Sequence, residues 1–295
     1  MNFNKLEILN LSHNNISDIN SLENENFNEL KNLNLSFNKL SNLRILKNVN
    51  FNKLETLDLN NNKISIIDSL ENENFNELKN LNLSFNQISD ISILERFNSK
   101  KIKKLDLGWN AISDIGVLKN VDFKLLRILD LHDNKIVDIN ILEKTNFKEL
   151  EELNLNGNKI SNINILDKVS FKKLKHLFLN MNIISDIIVL KSVDFKELKI
   201  LDLSWNAIAD INILEDVNFK ELQQLYLNNN KIMDINILGK VDFKQLKILV
   251  LNYNKISDIS VLEKTNFKNL EKLDINNNEI SDTNILEKIK SIKIQ

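Results

Sequence analysis

Hydrophobic residues recur along this chain of 295 residues in one frame, L-x-x-L-x-L-x-x-N-x-I, which repeats every 24 residues. The twelve units begin near Leu6, Leu30, Leu54, Leu78, Ile102, Leu126, Leu150, Leu174, Leu198, Leu222, Leu246 and Leu270. The Leu-x-Leu alternation has a period of two, so each unit is predicted to contain a short strand with one buried and one open face. A single strand cannot bury its leucines alone, so the units are expected to stack into a parallel sheet with one continuous core.

An asparagine follows every predicted strand, at the point where the chain has to turn. The twelve positions of this asparagine ladder are Asn14, Asn38, Asn62, Asn86, Asn110, Asn134, Asn158, Asn182, Asn206, Asn230, Asn254 and Asn278. The amide offers two donors and one carbonyl acceptor, which can satisfy backbone groups of the turn that no strand pairs with. Loss of one such side chain is expected to cost ~1–3 kcal/mol for each buried polar group left unpaired.

The second half of each unit predicts a short helical segment that packs beside a phenylalanine. An aspartate precedes this segment in most units, as Asp210 precedes Ile211, and it is expected to occupy the helix N-cap. Phenylalanine recurs near the end of the units and is predicted to form a buried row. Ser99 interrupts this row, and Phe97 is expected to fill the gap.

The frame and its tail D-I-x-x-L, as at Asp114-Ile115 to Leu118, together resemble the leucine-rich repeat family over essentially the whole chain. The tail is most similar to internalin-like and phosphatase-regulator-like repeats, although the unit is longer than is usual there. The resemblance implies an α/β fold: a right-handed solenoid, or horseshoe, with a parallel β-sheet on the concave face and short helices or 3-10 turns on the convex face. The chain is expected to form a single domain over residues 1–295.

The resemblance also implies a non-catalytic scaffold that binds a partner protein on its concave face. A second interpretation is a regulatory or adaptor subunit of a Ser/Thr phosphatase or a similar signalling enzyme. A third is a structural module that assembles through uncapped repeat ends, which would give end-to-end self-association. A fourth is a surface adhesin.

Side chains between and after the last two leucines of each unit are predicted to point away from the core. The candidate partner-binding residues are Phe37, Phe85, Trp109, His132, Asp133, His176, Phe178, Met181, Trp205, Tyr226 and Tyr253, with Asp106 and Asp202 as further polar contacts. Rigid aromatic side chains are frequent anchors of protein interfaces, which favours a partner surface. Packing of neighbouring rings on each other is the alternative, and duplication of a unit is a third explanation for the two tryptophans.

Composition excludes several kinds of chemistry. The chain contains no cysteine and only four isolated glycines, which excludes disulfides and thiol catalysis and speaks against a phosphate-binding loop. Neither a catalytic set nor a metal or other cofactor is predicted, and the three histidines are interpreted as solvated or partner-contacting. A cytoplasmic location is favoured, since neither a signal peptide nor a membrane span is apparent.

A regular row of lysines raises the question of nucleic-acid binding. The row comprises Lys100, Lys124, Lys148, Lys172, Lys196, Lys220, Lys244 and Lys268. Acidic residues are interleaved with it and the net charge is −2. We therefore interpret the row as a solvated edge, and nucleic acid is not expected as a partner.

Overall fold

A computed structural model describes residues 3–23, 25–71, 75–281 and 293–294. Its regular elements are all short: three-residue strands, a last strand of two residues, and 3-10 turns of three to five residues. The chain divides into two compact units. Unit 1 comprises Met1–Ile136 and Lys144–Leu150, and unit 2 comprises Val137–Glu143 and Glu151–Gln295.

Unit 1 contains six parallel strands that pair in sequence order. They are β1 (Ile8–Asn10), β2 (Asn32–Asn34), β3 (Thr56–Asp58), β4 (Asn80–Asn82), β5 (Lys104–Asp106) and β6 (Ile128–Asp130). The register places Leu9 opposite Leu33, a separation of 24 residues. Each side chain therefore lies beside its counterpart in the next repeat. The 3-10 turns of this unit are Asn20–Leu22, Arg44–Lys47, Asp68–Leu70, Ser92–Arg96 and Gly116–Lys119.

Unit 2 continues the same pattern. Its strands are β7 (Glu152–Asn154), β8 (His176–Phe178), β9 (Ile200–Asp202), β10 (Gln224–Tyr226), β11 (Ile248–Val250), β12 (Lys272–Asp274) and β13 (Lys293–Ile294). Strand β13 pairs with β12 and adds a strand to the twelve that the frame predicts. The 3-10 turns are Asn164–Asp167, Ile188–Lys191, Asn212–Glu215, Asn236–Gly239 and Ser260–Lys264, while Asn140–Lys144 lies across the division between the units.

The core of each unit is built from the leucines, isoleucines and phenylalanines of the frame. Leu105 and Leu201, for example, are fully buried at the centres of their strands. The expectation for the interrupted phenylalanine row is confirmed. Phe97 is 6% exposed, and its ring centroid lies 6.3 Å from that of Phe75 and 6.1 Å from that of Phe123. Ser99 is also buried, and its hydroxyl donates to a backbone carbonyl at 2.6 Å.

The aspartates do not occupy the N-caps that we expected, and the segments they precede are 3-10 turns. Ile211 is the N-cap residue of Asn212–Glu215, with φ −118° and ψ 12°. Asp210 lies one residue earlier, and its Oδ1 accepts the Asn212 backbone N–H at 2.8 Å. The carboxylate thus closes a local turn through a residue two positions ahead, a bond that short polar side chains make readily. The corresponding aspartate and leucine of the twelfth repeat, Asp282 and Leu286, lie outside the described residues, as do Ile289 and Ile292 near the C-terminus.

The ladder asparagines connect successive repeats. The Asn110 Nδ2 group donates to the carbonyls of Leu107 at 3.1 Å, Gly108 at 3.1 Å and Leu83 at 3.0 Å. Its Oδ1 accepts the Ile88 N–H of the preceding repeat at 2.9 Å. One amide therefore satisfies backbone groups in two repeats at once. Among the described residues, none of the helical turns has the length and apolarity that a membrane crossing requires.

Candidate interaction face

The residue directly before each ladder asparagine lies in the left-handed backbone region. We call this the turn position, and it was predicted as an outward position of the strand. In the structure it belongs to the turn after the strand, with φ of 50° at Trp109 and 53° at Trp205. The Trp109 N–H donates to the His132 carbonyl at 2.8 Å, and the Trp205 N–H donates to the Asn228 carbonyl at 2.9 Å. Hydrogen bonds to the next repeat therefore hold this conformation.

The left-handed region suits some occupants of the turn position and not others. Asn61 and Gly157 fit it, since asparagine and glycine tolerate positive φ. Tryptophan, phenylalanine, tyrosine and methionine do not, and the conformation costs roughly 1–2 kcal/mol for an ordinary residue. The bulky side chains of Phe85, Trp109 and Trp205 are therefore not explained by backbone preference.

Bulky side chains at the turn position are also exposed. The exposed fraction is 44% for Phe85, 49% for Trp109 and 57% for Trp205, while Phe37, Met181 and Tyr253 are likewise exposed. In unit 1 the Phe85 and Trp109 rings stack, with centroids 5.1 Å apart and planes 10° apart. Within the described part of the chain, no aromatic ring stacks on Trp205. Ring packing thus explains in part why Phe85 and Trp109 are aromatic, but it does not explain the tryptophan at position 205.

A polar cluster lies beside this stack in unit 1. Asp106 and Asp130 face each other at the ends of β5 and β6. The His132 Nδ1 atom lies 2.5 Å from Asp130 Oδ1, and its Nε2 atom lies 4.0 Å from Asp133 Oδ2. The hydrogen bond with Asp130 raises the pKa of His132. Burial raises the pKa of Asp106, and the charge of Asp130 raises it further.

In unit 2 the predicted polar and aromatic residues form small separate contacts. The His176 Nδ1 atom lies 3.1 Å from Glu152 Oε2, and the His176 ring lies 6.3 Å from the Phe178 ring. Asp202 faces Tyr226 across β9 and β10. Burial is the main cause that raises the pKa of both groups, and the charge of Asp202 raises the pKa of Tyr226 further.

The candidate residues therefore fall into two sets. Phe37, Phe85, Asp106, Trp109, His132 and Asp133 belong to unit 1, while the others belong to unit 2. Phe85 contacts Trp109 and His132 approaches Asp133, whereas Phe37 stacks on His13 at 4.2 Å.

Sequence reasoning missed Asp130 and Gly108. Asp130 occupies the frame position of Asp106 and Asp202, both of which were singled out, so the repeat frame contained the signal. Gly108 was noted only as an isolated glycine. It occupies a position that holds serine, asparagine or histidine in the other repeats.

The lysine row is partly neutralised by neighbouring aspartates. Lys124 Nζ lies 2.9 Å from Asp122 Oδ1, and Lys196 Nζ lies 3.1 Å from Asp194 Oδ1. The Asp122 side chain is also 3.8 Å from Lys100. These exposed pairs support the interpretation of the row as a solvated edge, because the positive charges do not stand alone.

Repeated parallel strands, 3-10 turns and an asparagine ladder together define a leucine-rich-repeat solenoid, which confirms the predicted fold class. Sequence profiles described as "Leucine Rich repeats (2 copies)" match residues 52–96 and 244–288. A profile described as "Leucine Rich repeat" matches residues 4–19, 98–119 and 198–211. No curated protein matches the chain significantly.

Solved structures share the fold over most of the chain. An internalin, InlF, of Listeria monocytogenes is 28% identical with a TM-score of 0.75, covering 92% of this chain and 73% of the internalin. A leucine-rich repeat protein of Leptospira interrogans is 23% identical with a TM-score of 0.64, covering 100% of this chain and 96% of that protein. The plant peptide hormone receptor RGFR1, solved in complex with RGF2, is 21% identical with a TM-score of 0.67, covering 93% and 48%. The chain is a leucine-rich repeat protein, and it is similar to the internalins.

Proposed function

We propose that the chain is a non-catalytic recognition scaffold that binds a partner protein through the open face of its sheet. The open face comprises the strand residues on either side of each buried leucine, the turn positions, and the residue directly before each turn position. Leucine-rich repeat proteins are generally protein-interaction scaffolds, and this protein belongs to them. The proposal places its partner contacts on the candidate residues of both units.

The observation that carries the proposal is the set of large exposed side chains at left-handed positions. Trp109 and Trp205 are about half exposed at φ near 50°. Both the backbone conformation and the exposure of apolar area disfavour tryptophan there. Burial against a partner offsets both costs, and tryptophan is among the residues that contribute most to protein interfaces. A preformed backbone also loses little conformational entropy on binding.

The test is an affinity capture from an extract of the source organism, with wild type and a Trp109→Asn/Trp205→Asn double variant. Asparagine already occupies the turn position at Asn61 and Asn229, so the variant retains a suitable backbone. Proteins that depend on the open face are expected to be retained by wild type and lost by the double variant. Each retained protein is then titrated in purified form.

Met233→Asn is the matched control. Met233 is 64% exposed and lies three residues after a ladder asparagine, outside the open face. The control removes a comparable apolar side chain and is expected to retain the same proteins as wild type. If the double variant retains every protein that wild type retains, with unchanged affinity, then the proposed interface is wrong.

The remaining interpretations find no specific support in the described residues. A phosphatase-regulating role predicts that a phosphatase is among the retained proteins. Assembly through repeat ends predicts a molecular mass that increases with concentration in light scattering. The cytoplasmic location and the single domain stay predictions, and cell fractionation tests the former.

A further inference from the structure

We infer that Asp106, Asp130 and His132 form a binding site for a divalent transition-metal ion of the zinc type, on the open face of unit 1. One ligand atom from each of the three side chains can be chosen so that all three atoms lie within 4.8 Å of one another. The inference goes beyond partner recognition, because it concerns an inorganic ligand that the chain binds by itself.

The sheet register creates the carboxylate pair. Asp106 ends β5, Asp130 ends β6, and the two residues are direct neighbours in the parallel pairing. Like charges directly opposite each other on adjacent strands destabilise a sheet. A bound divalent cation removes this repulsion, and it does so where both side chains are half-buried. The pair therefore has electrostatic reason to hold a cation.

Gly108 makes room for the histidine. A Cβ atom placed on Gly108 would overlap the Nδ1 and Cε1 atoms of the His132 imidazole. Gly108 does not have a positive φ, so its backbone conformation does not require glycine. The glycine is required by the ring instead. Its absent side chain lets the imidazole of one repeat lie over the preceding repeat, beside the carboxylates.

The glycine at position 108 also deprives Asp106 of a hydrogen-bond donor, because the corresponding residue in the other tryptophan repeat is Ser204. In the corresponding repeat of unit 2, the Ser204 hydroxyl donates to Asp202 Oδ1 at 2.6 Å, in addition to the Ser204 N–H at 2.9 Å. Among the described residues, the Asp106 carboxylate accepts a single hydrogen bond, from the Gly108 N–H at 3.2 Å. A half-buried carboxylate with spare acceptor capacity therefore faces the second carboxylate and the imidazole.

The donor set selects the kind of ion. One imidazole nitrogen and two carboxylate oxygens suit zinc and neighbouring transition metals, whereas magnesium and calcium prefer oxygen ligands alone. Three protein ligands leave at least one coordination position for water or for a group of a partner. The site is thus of the open type, not the closed type that four protein ligands form.

The experiment is calorimetric titration of the chelator-treated, tag-free full chain with Zn²⁺, accompanied by Co²⁺ absorption spectra. Wild type is expected to show one saturable Zn²⁺ site. With Co²⁺ it is expected to show the visible absorption bands of an ion with a low coordination number. Asp106→Asn and His132→Asn should each weaken Zn²⁺ binding by more than about 100-fold, since loss of even an outer partner of a ligand costs about 10–100-fold. Asparagine occupies the same frame positions at Asn34 and Asn60, so both variants are compatible with the repeat.

Two further variants separate this site from adventitious binding. Gly108→Ser keeps all three ligands but places a Cβ where the imidazole lies, and it is expected to weaken Zn²⁺ binding by at least about tenfold. Asp202→Asn removes a carboxylate of the same frame position in unit 2 and should leave Zn²⁺ binding unchanged. The inference is overturned if wild type shows no saturable site, if Gly108→Ser binds as wild type does, or if Asp202→Asn weakens binding equally.

Discussion

The two repeats that contain tryptophan differ little in sequence and considerably in chemistry. Leu105–Ile115 reads LDLGWNAISDI and Leu201–Ile211 reads LDLSWNAIADI. Their strands end in aspartate, and both tryptophans have φ near 50°. In the second repeat the Ser204 hydroxyl bonds the aspartate at the strand end, whereas in the first repeat the imidazole of His132 occupies the space.

The chemical difference between the two repeats arises from their neighbours. The backbone frame is the same in both repeats, so it cannot distinguish them. The side chains that adjacent repeats contribute distinguish them. The first repeat has a histidine from one neighbour and a stacking phenylalanine from the other, and the second repeat has neither. The histidine–aspartate cluster and the ring stack are therefore formed by neighbouring repeats together, and a single 24-residue unit contains neither.

The largest expected effect tests whether the two frames are equivalent. Asn110→Ala and Asn206→Ala should each lower the free energy of unfolding by about 3 kcal/mol or more, because several buried backbone groups lose their partner at ~1–3 kcal/mol each. Asn206 makes the same four bonds as Asn110, including acceptance of the Ile184 N–H at 2.9 Å. Chemical denaturation followed by circular dichroism measures both losses. A loss below about 1 kcal/mol in either variant contradicts the ladder's stabilising role.

The parts of the structure that sequence could predict are those with a hydrophobic period. Alternating leucines predict the strands, and the constant spacing predicts their register, because a slip would expose the buried face. The gap at Ser99 predicts the displacement of Phe97 for a similar reason, since the core requires a ring there. Burial of apolar area decides all of these features, and apolar residues are visible in a sequence.

The rest depends on contacts that a single residue does not reveal. The left-handed turn position is held by hydrogen bonds to the next repeat, so Trp109 adopts it against the preference of its own residue type. The metal-ligand cluster requires a glycine and a histidine separated by 24 residues to be read together. The short convex segments were expected as helices or 3-10 turns, and the choice depends on whether backbone hydrogen bonds span three or four residues, which apolar spacing does not encode.

The second prediction sharpens the contrast between the tryptophans. Trp205→Asn should leave the free energy of unfolding unchanged or raise it by up to about 1 kcal/mol, because asparagine tolerates positive φ and, among the described residues, no ring stacks on Trp205. Trp109→Asn gains the same relief but loses the Phe85 stack, worth about 0.5–1.5 kcal/mol. Thermal and denaturant unfolding of both variants give the difference. A larger loss for Trp205→Asn than for Trp109→Asn contradicts the proposed distinction.

The smallest effect concerns the two strand-end aspartates and depends on pH. The pKa of Asp106 and of Asp202 is raised in the folded chain, mainly by burial. A carboxyl group with a raised folded-state pKa binds its proton more tightly when folded, so stability falls as the pH rises from the unfolded value near 3.9 through the folded value. Above this window the ionised aspartate destabilises the fold, and replacement by asparagine removes the penalty.

In the presence of a chelator, Asp106→Asn should therefore raise the free energy of unfolding at pH 7 by about 0.5 kcal/mol, the scale of substitutions near a surface. The gain should disappear at a pH below the unfolded value, where both carboxyl groups are protonated. Asp202→Asn should gain less, because the Ser204 hydroxyl and N–H already stabilise the ionised form, whereas Asp106 also faces the charge of Asp130. Denaturation at several pH values measures both gains. An equal gain for both, or one that is independent of pH, would mean that the glycine and the facing carboxylate do not distinguish the repeats.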